Sequence, residues 1–178
     1  MNEDPIRLSE LLAVYGKDKV AKYLKGFRCN KDSDLQIFLH EKAIMYEDKG
    51  RSRTYLFIDS ENKRIIGYVT LSLTKIRVSN KSSLVKGVIR KLDLNDGETV
   101  GYLIGQMAKD DSVEEQMGHR MLSFAKSMLH KSYMQNGGRV ICIDCKGPLV
   151  DYYRKEGFLM VEPDPNEKNG LYRLVSLF

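Results

Sequence analysis

The hydrophobic pattern of the chain changes period several times. The opening "IRLSELLAVYGKDKVAKYLKGF" carries apolar residues at helical spacing, with Gly16 as the break between two short helices. "KDSDLQIFLHEKAIMYEDKG" predicts another helix, with Asp32 or Ser33 as N-cap and Gly50 as its stop. The period then drops to two. "RTYLFID" and "IIGYVTLSL", joined by the polar turn "SENKR", predict an antiparallel hairpin, and "ETVGYLIGQMAK" a longer strand. Over "SVEEQMGHRMLSFAKSMLHKSY" the helical period returns: Val113, Met117, Met121, Ala125 and Met128 form one stripe, flanked by Leu122 and Leu129. "GGRVICID" reads as a buried strand. A short helix follows, with Pro148 in its first turn and Gly157 just past its end, and "GFLMVE" and "LYRLVSLF" are closing strands.

The order α-α-β-β-β-α-β-α-β-β makes an α/β fold: a mixed, mostly antiparallel sheet with flanking helices. The β-α-β passage near residues 99 to 145 is expected to be a right-handed parallel crossover. A parallel pair inside an otherwise antiparallel sheet must splay or switch somewhere. Such points, at the carboxyl ends of strands, are where open α/β sheets bind ligands.

At 178 residues the chain has the length of one domain with a real core, and no linker, repeat or low-complexity tract divides it. No apolar run approaches a membrane span, and the charged start "MNEDPIRLSELL" lacks the apolar core of a signal peptide. Three cysteines, an odd number, argue against a disulfide framework and for a reducing, cytoplasmic setting. A net charge of +5 suits an anionic partner, and a phosphate-bearing cofactor satisfies that as well as a nucleic acid does. The charge is concentrated. Thr74 to Leu92 holds six basic residues, Lys75, Arg77, Lys81, Lys86, Arg90 and Lys91, and no acid. Such runs are most often solvated faces, and this one becomes a positive rim only if a cleft lies beside it.

Cys142 and Cys145 form a CxxC, which raises metal or redox chemistry. On a strand, residues three apart point to opposite faces and cannot chelate one ion, so these cysteines are expected to be small buried apolar groups. His40, His119 and His130 have no second histidine or carboxylate at ligand spacing, and no metal site is expected. The junction "MAKDDSVEEQMGHRML" is more informative. A helix N-terminus after a strand offers backbone N–H groups and a positive dipole that suit a pyrophosphate, and Gly118 would let backbone approach phosphate.

These features together resemble the GCN5-related N-acetyltransferase (GNAT) superfamily over roughly residues 27 to 178. "YLIGQMAKD" is similar to the family's fourth strand, with Met107-Ala108-Lys109-Asp110 at its characteristic end. Val113 to Arg120 stands where the family has its pyrophosphate loop, and "YYRKEGF" resembles the family's Tyr-x-x-x-Gly-Phe, with Tyr153 four residues before Gly157. The hairpin "RTYLFIDSENKRIIGYVTLSL" is similar to its second and third strands. The resemblance implies a single GNAT-like domain over residues 1–178, with 1–26 as a helical extension and a central splayed parallel pair in its sheet. It implies acetyl-CoA as co-substrate, held by Met107, Ala108, Lys109, Val113, Gln116, Met117, Gly118, His119, Arg120 and Lys146. The loop departs from the family pattern: Gln116 replaces the earlier glycine, Glu114 and Glu115 add negative charge, and Lys146 stands where many members have an asparagine.

The implied chemistry is direct transfer to a primary amine, the thioester carbonyl polarised by a strand N–H near Met107 and the CoA thiolate protonated by Tyr153. Successive helical residues point about 100° apart, so only one of Tyr152 and Tyr153 can face the cofactor, and the family spacing selects Tyr153. Glu98, Asp110 and an ordered water are the alternatives for a general base. "FRCNKDSDLQIFLHEKAI" with the hairpin is most similar to the GNAT toxins of toxin–antitoxin pairs, which acetylate aminoacyl-tRNA. That implies tRNA and an antitoxin protein as partners and leaves homodimerisation open. Small-molecule and protein acetyltransferases, and a non-catalytic acyl-CoA-binding module, are the competing readings.

Overall fold

Gly16, at φ 77°, divides the first helical segment into α1 (Leu8–Tyr15) and α2 (Lys17–Leu24), a backbone region that glycine enters without a Cβ clash. The computed structural model describes residues 5–77, 98–161 and 170–178. Of the basic stretch singled out above, Lys81, Lys86, Arg90 and Lys91 lie outside the described residues. A two-residue strand, β1 (Ile6–Arg7), precedes α1 and was not legible in the hydrophobic pattern. The next helical segment is not continuous: α3 (Ser33–Ile37) passes through a π-helical turn (Phe38–Lys42) into α4 (Ala43–Asp48). There the N–H of Ala43 reaches the carbonyl of Phe38, and Phe38, Leu39 and Ala43 are all buried.

The hairpin forms as expected, β2 (Arg53–Asp59) pairing antiparallel with β3 (Arg64–Arg77) and carrying an irregularity between Phe57 and Ile58. Its turn is closed by the Asp59 carboxylate, which accepts from the N–H groups of Glu61 (3.0 Å) and Asn62 (3.3 Å) and pairs with Arg64 at 3.4 Å. β4 (Glu98–Lys109) is followed by α5 (Gly118–Asn136) and β5 (Val140–Cys145). A 3₁₀ turn (Gly147–Leu149) leads into α6 (Val150–Lys155), then β6 (Leu159–Val161) and β7 (Tyr172–Leu177). The strands form one sheet in the order β1-β2-β3-β4-β5-β7-β6. The β4–β5 pair is parallel, over Tyr102–Ile104 and Ile141–Ile143, while β1–β2, β2–β3, β5–β7 and β6–β7 are antiparallel.

The described residues gather into two compact units. The first comprises 5–72 and 105–127. Its core holds Leu8, Leu24, Leu39 and Leu56 around Tyr68, whose ring takes Phe27 edge-on at 5.4 Å and stacks on Phe38 at 6.4 Å. The buried Tyr68 hydroxyl donates to the Leu35 carbonyl at 2.6 Å, so burial of the phenol leaves no polar atom unpaired. Gly67 sets how closely the N-terminal part of α5 packs: a Cβ there would stand 3.0 Å from Met121 Sδ and 3.1 Å from the Ala108 carbonyl oxygen. Further along α5, Phe124 meets Tyr55 and Phe57 edge-on at 5.2 and 5.5 Å.

The second unit comprises 73–77, 98–104, 128–161 and 170–178. Ile76, Val140, Cys142 and Val175 form its core, with Leu103 and Leu177 packed on it. Cys142 and Cys145 are both buried thiols of β5. A strand flanked by neighbours on both edges and covered on both faces buries residues of either parity. Burial, then the charge of Asp144, pushes the Cys145 thiol up to about 11.

Candidate functional site

In the first unit, β4 ends in a loop tied down by its own acids. Asp110 is buried, and its carboxylate accepts from the Arg28 N–H at 2.7 Å, from the Ser112 N–H at 2.9 Å and from the Ser112 hydroxyl. Asp111 accepts from the Asn30 N–H at 2.7 Å and donates its own N–H to the Arg28 carbonyl at 2.9 Å. Burial pushes the Asp110 carboxyl up, but the Ser112 and Arg28 hydrogen bonds and the charge of Arg64 outweigh it and hold the group below the usual range. An anchored, ionised carboxylate with both oxygens engaged is a poor general base, which argues against that alternative. Glu98, the other carboxylate considered, is in the second unit and pairs with Lys75 at 2.5 Å.

The same anchoring delays the helix. The stripe predicted it from Val113, yet α5 begins at Gly118. Two features hold residues 110–117 as a loop: the N–H of Val113 returns to the Asp110 carbonyl at 3.1 Å, and the Lys109 ammonium donates to the carbonyls of Val113 and Glu115. The Asp-Asp-Ser of this loop is a side-chain-to-backbone turn signal that the helical periodicity obscured.

The predicted cofactor-binding residues fall into three groups. Met107 and Ala108 lie on β4 and Lys109 ends it; Ala108 is buried, and the Lys109 side chain is used within the loop. Val113 is half-buried, Gln116 exposed, and Met117 buried beneath Gly67, so Ala108 and Met117 can offer a ligand backbone rather than side chain. Gly118, His119 and Arg120 form the first turn of α5, with His119 exposed and 3.5 Å from the Ser123 hydroxyl, and the Arg120 guanidinium 5.6 Å over the Phe57 ring. Upstream, just before Met107, the N–H of Gln106 donates to the Thr70 side-chain hydroxyl at 2.8 Å.

Lys146 and Tyr153 belong to the second unit. Lys146 is exposed at the end of β5, and its carbonyl accepts from the Leu149 N–H at 2.9 Å. α6 is short, as expected, with Pro148 at its entry and Gly157 at φ 88° beyond its end. Tyr153 is buried, edge-on to Tyr152 at 5.0 Å and to Phe158 at 6.0 Å. Burial above all, then Cys145 and Tyr152, pushes its phenol up, so it stays protonated throughout the neutral range. The Tyr152 hydroxyl is buried with no hydrogen-bond partner among the described residues. The pattern also missed a bidentate pair: Arg173 Nε and Nη2 reach the two oxygens of Asp144, each at 2.8 Å, across β5 and β7.

No protein-family model matches the chain. Solved structures do. A mutant of the toxin KacT superposes with a TM-score of 0.72 at 17% identity, over 98% of this chain and 95% of that one. The toxin AtaT complexed with acetyl-methionyl-tRNAfMet gives 0.68 at 17% identity, over 87% and 86%. The chain has a GNAT toxin-like fold. A tyrosine-to-phenylalanine mutant of AtaT, bound to the C-terminus of the antitoxin AtaR and acetyl-CoA, matches the same fold with a TM-score of 0.66 at 15% identity, over 86% and 84%. The GNAT toxin-like fold gives the expected mixed sheet with its parallel β4–β5 pair, and no described helix is long and apolar enough to cross a membrane.

Proposed function

We propose that residues 1–178 are one acetyltransferase domain that transfers an acetyl group from acetyl-CoA to the primary amine of an aminoacyl-tRNA, with Tyr153 as general acid. The observation that carries the proposal is a tyrosine buried on a short helix delimited by Pro148 and Gly157, in a chain with the fold of toxins solved with acetyl-CoA and with acetyl-methionyl-tRNAfMet. The loop residues fit an anionic cofactor. Gly118 opens a 19-residue helix, His119 is exposed in its first turn, and Lys109 adds a cation at the loop's base. The exposed Glu114 and Glu115 are the opposing charges.

Acetyl-CoA, when bound, supplies the thioester carbon that the amine attacks. The backbone just past the Gln106–Thr70 hydrogen bond, at Met107, offers an N–H to the carbonyl oxygen as it gains charge. As the carbon–sulfur bond breaks, Tyr153 gives its proton to the sulfur and regains one from solvent, while the nitrogen loses its proton to water. The partners follow the same reading: tRNA as acceptor, an antitoxin protein as inhibitor, and a reducing cytoplasm as setting.

The test is acetyl transfer from labelled acetyl-CoA to charged tRNA, with polyamines, aminoglycosides and peptide N-termini as competing acceptors. Labelled aminoacyl-tRNA is the expected product. Failure to bind acetyl-CoA by calorimetry would overturn the reading altogether. Binding without transfer to any acceptor would assign the chain to non-catalytic acyl-CoA-binding proteins.

A further inference from the structure

The first unit holds a groove of about 480 Å³ that the acetyltransferase reading does not use. Leu11, Val20 and Ile58 give it apolar walls. Tyr15, 56% exposed, stands at its rim, and the neighbouring Val14 is 72% exposed. α1 buries only Leu8 fully; Leu11 and Leu12 pack half-buried against the core, and Leu11 also lines the groove. Two cations also line the groove, Lys19 from α2 and Lys63 from the β2–β3 turn. Among the described residues neither ammonium has a hydrogen-bond or ion-pair partner, whereas nearby Lys17 pairs with Asp48 at 2.5 Å.

Lys63 is held there by backbone, not by chance. It is the non-glycine residue with positive φ among the described residues, at 52°, in the turn that the Asp59 carboxylate closes. A lysine is disfavoured in that region relative to glycine or asparagine, so nothing local favours it over those residues. What it adds is an ammonium at the groove.

Size decides the kind of occupant. Small-ligand sites enclose about 300–1,000 Å³ and are mostly apolar with a few placed polar groups. A standard protein interface takes about 800 Å² and some 20–30 residues from each side, far more than the nine residues lining this groove. We infer that the groove binds a small single-chain carboxylate, its apolar chain against Leu11, Val20 and Ile58 and its anionic end at Lys19 and Lys63.

The experiment is calorimetric titration of the full chain with dodecanoate and, separately, with dodecyltrimethylammonium, both below their micellar concentrations. One saturable site for dodecanoate is expected, with no comparable binding of the cation. Lys19→Gln with Lys63→Gln should weaken dodecanoate about tenfold or more and leave acetyl-CoA binding as it was. Leu11→Trp should fill the groove and abolish the site; because both lysines are exposed, the lysine arm does not depend on that variant folding. Equal affinity for the two amphiphiles, or undiminished dodecanoate binding in the lysine variant, overturns the assignment. Displacement of dodecanoate by a tighter-binding acidic amphipathic peptide overturns it too, and gives the groove to a protein partner. Acetyl-CoA binding and acetyl transfer are independent readouts, so failure here leaves the proposed activity standing.

Discussion

Tyr152 and Tyr153 meet edge to face with ring centroids 5.0 Å apart, yet their phenols have different standing. Tyr153 is buried and pushed up by that burial; Tyr152 is half-buried, with its hydroxyl shielded from water and without a hydrogen-bond partner among the described residues. Adjacent helical residues diverge by about 100°, so one short helix presents two phenols to two environments.

Tyr153→Phe removes the proposed acid while keeping the ring against Phe158. The expected outcome is a fall in kcat of about 10²–10⁴-fold, the usual range for a general acid, with acetyl-CoA affinity nearly intact. Steady-state kinetics beside calorimetry check this. Because the phenol is raised, wild-type activity should show no loss assignable to Tyr153 until pH passes about 10, the ordinary tyrosine value. Unchanged turnover in the variant would remove Tyr153 from the mechanism.

Tyr152→Phe should do the reverse. A buried hydroxyl without a partner costs about 1–3 kcal/mol, so its removal should raise stability by up to about that amount in urea titrations. Acetyl transfer should survive. A loss of acetyl-CoA affinity instead would show that the hydroxyl finds its partner in the cofactor.

Asp110→Asn should loosen the loop after β4. The replacement amide turns one acceptor into a donor where the Arg28 and Ser112 N–H groups already point, a mismatch of about 1–3 kcal/mol. The pH dependence follows from the direction of the shift. The folded carboxyl is depressed, so its contribution is fully present above the unfolded value of about 4 and is lost as pH falls through the lower folded value. Urea midpoints of wild type and variant should therefore converge in strong acid and differ most at neutral pH.

Where the pattern in the sequence was dense, it located the elements well. β4 occupies the predicted residues Glu98–Lys109, and Gly16, Gly50 and Gly157 stand at the predicted boundaries with positive φ. It failed where side chains compete with periodicity. The apolar stripe runs back to Val113, but Asp110, Ser112 and Lys109 satisfy the backbone of that stretch as a loop, and α5 waits until Gly118. The π-helical turn at Phe38–Lys42 is likewise invisible to a 3.6-residue period. For the site, Tyr153 and the loop could be named because their spacing resembles a family. The Asp144–Arg173 pair could not, since nothing in the sequence shows that residues 29 apart face each other across β5 and β7.

Gly101→Ala tests the packing beside the parallel pair. A Cβ built on Gly101 would lie 2.4 Å from Ile76 Cδ1, 2.9 Å from the Val140 carbonyl oxygen and 3.2 Å from Val140 Cβ. The isoleucine terminus can rotate away, but Val140 is held by its pairing with Leu177, and its carbonyl is backbone. One methyl must therefore move β4 or β5, an overpacking cost of about 1–3 kcal/mol. The ladder from Tyr102↔Ile141 to Ile104↔Ile143 begins one residue later, so the displacement should enter the parallel pair directly. Thermal unfolding should show a lowered Tm, and amide exchange should quicken first at Tyr102–Ile104. An unchanged Tm would mean that Ile76 alone absorbs the methyl and that the close approach of Gly101 to β5 is not a constraint on the fold.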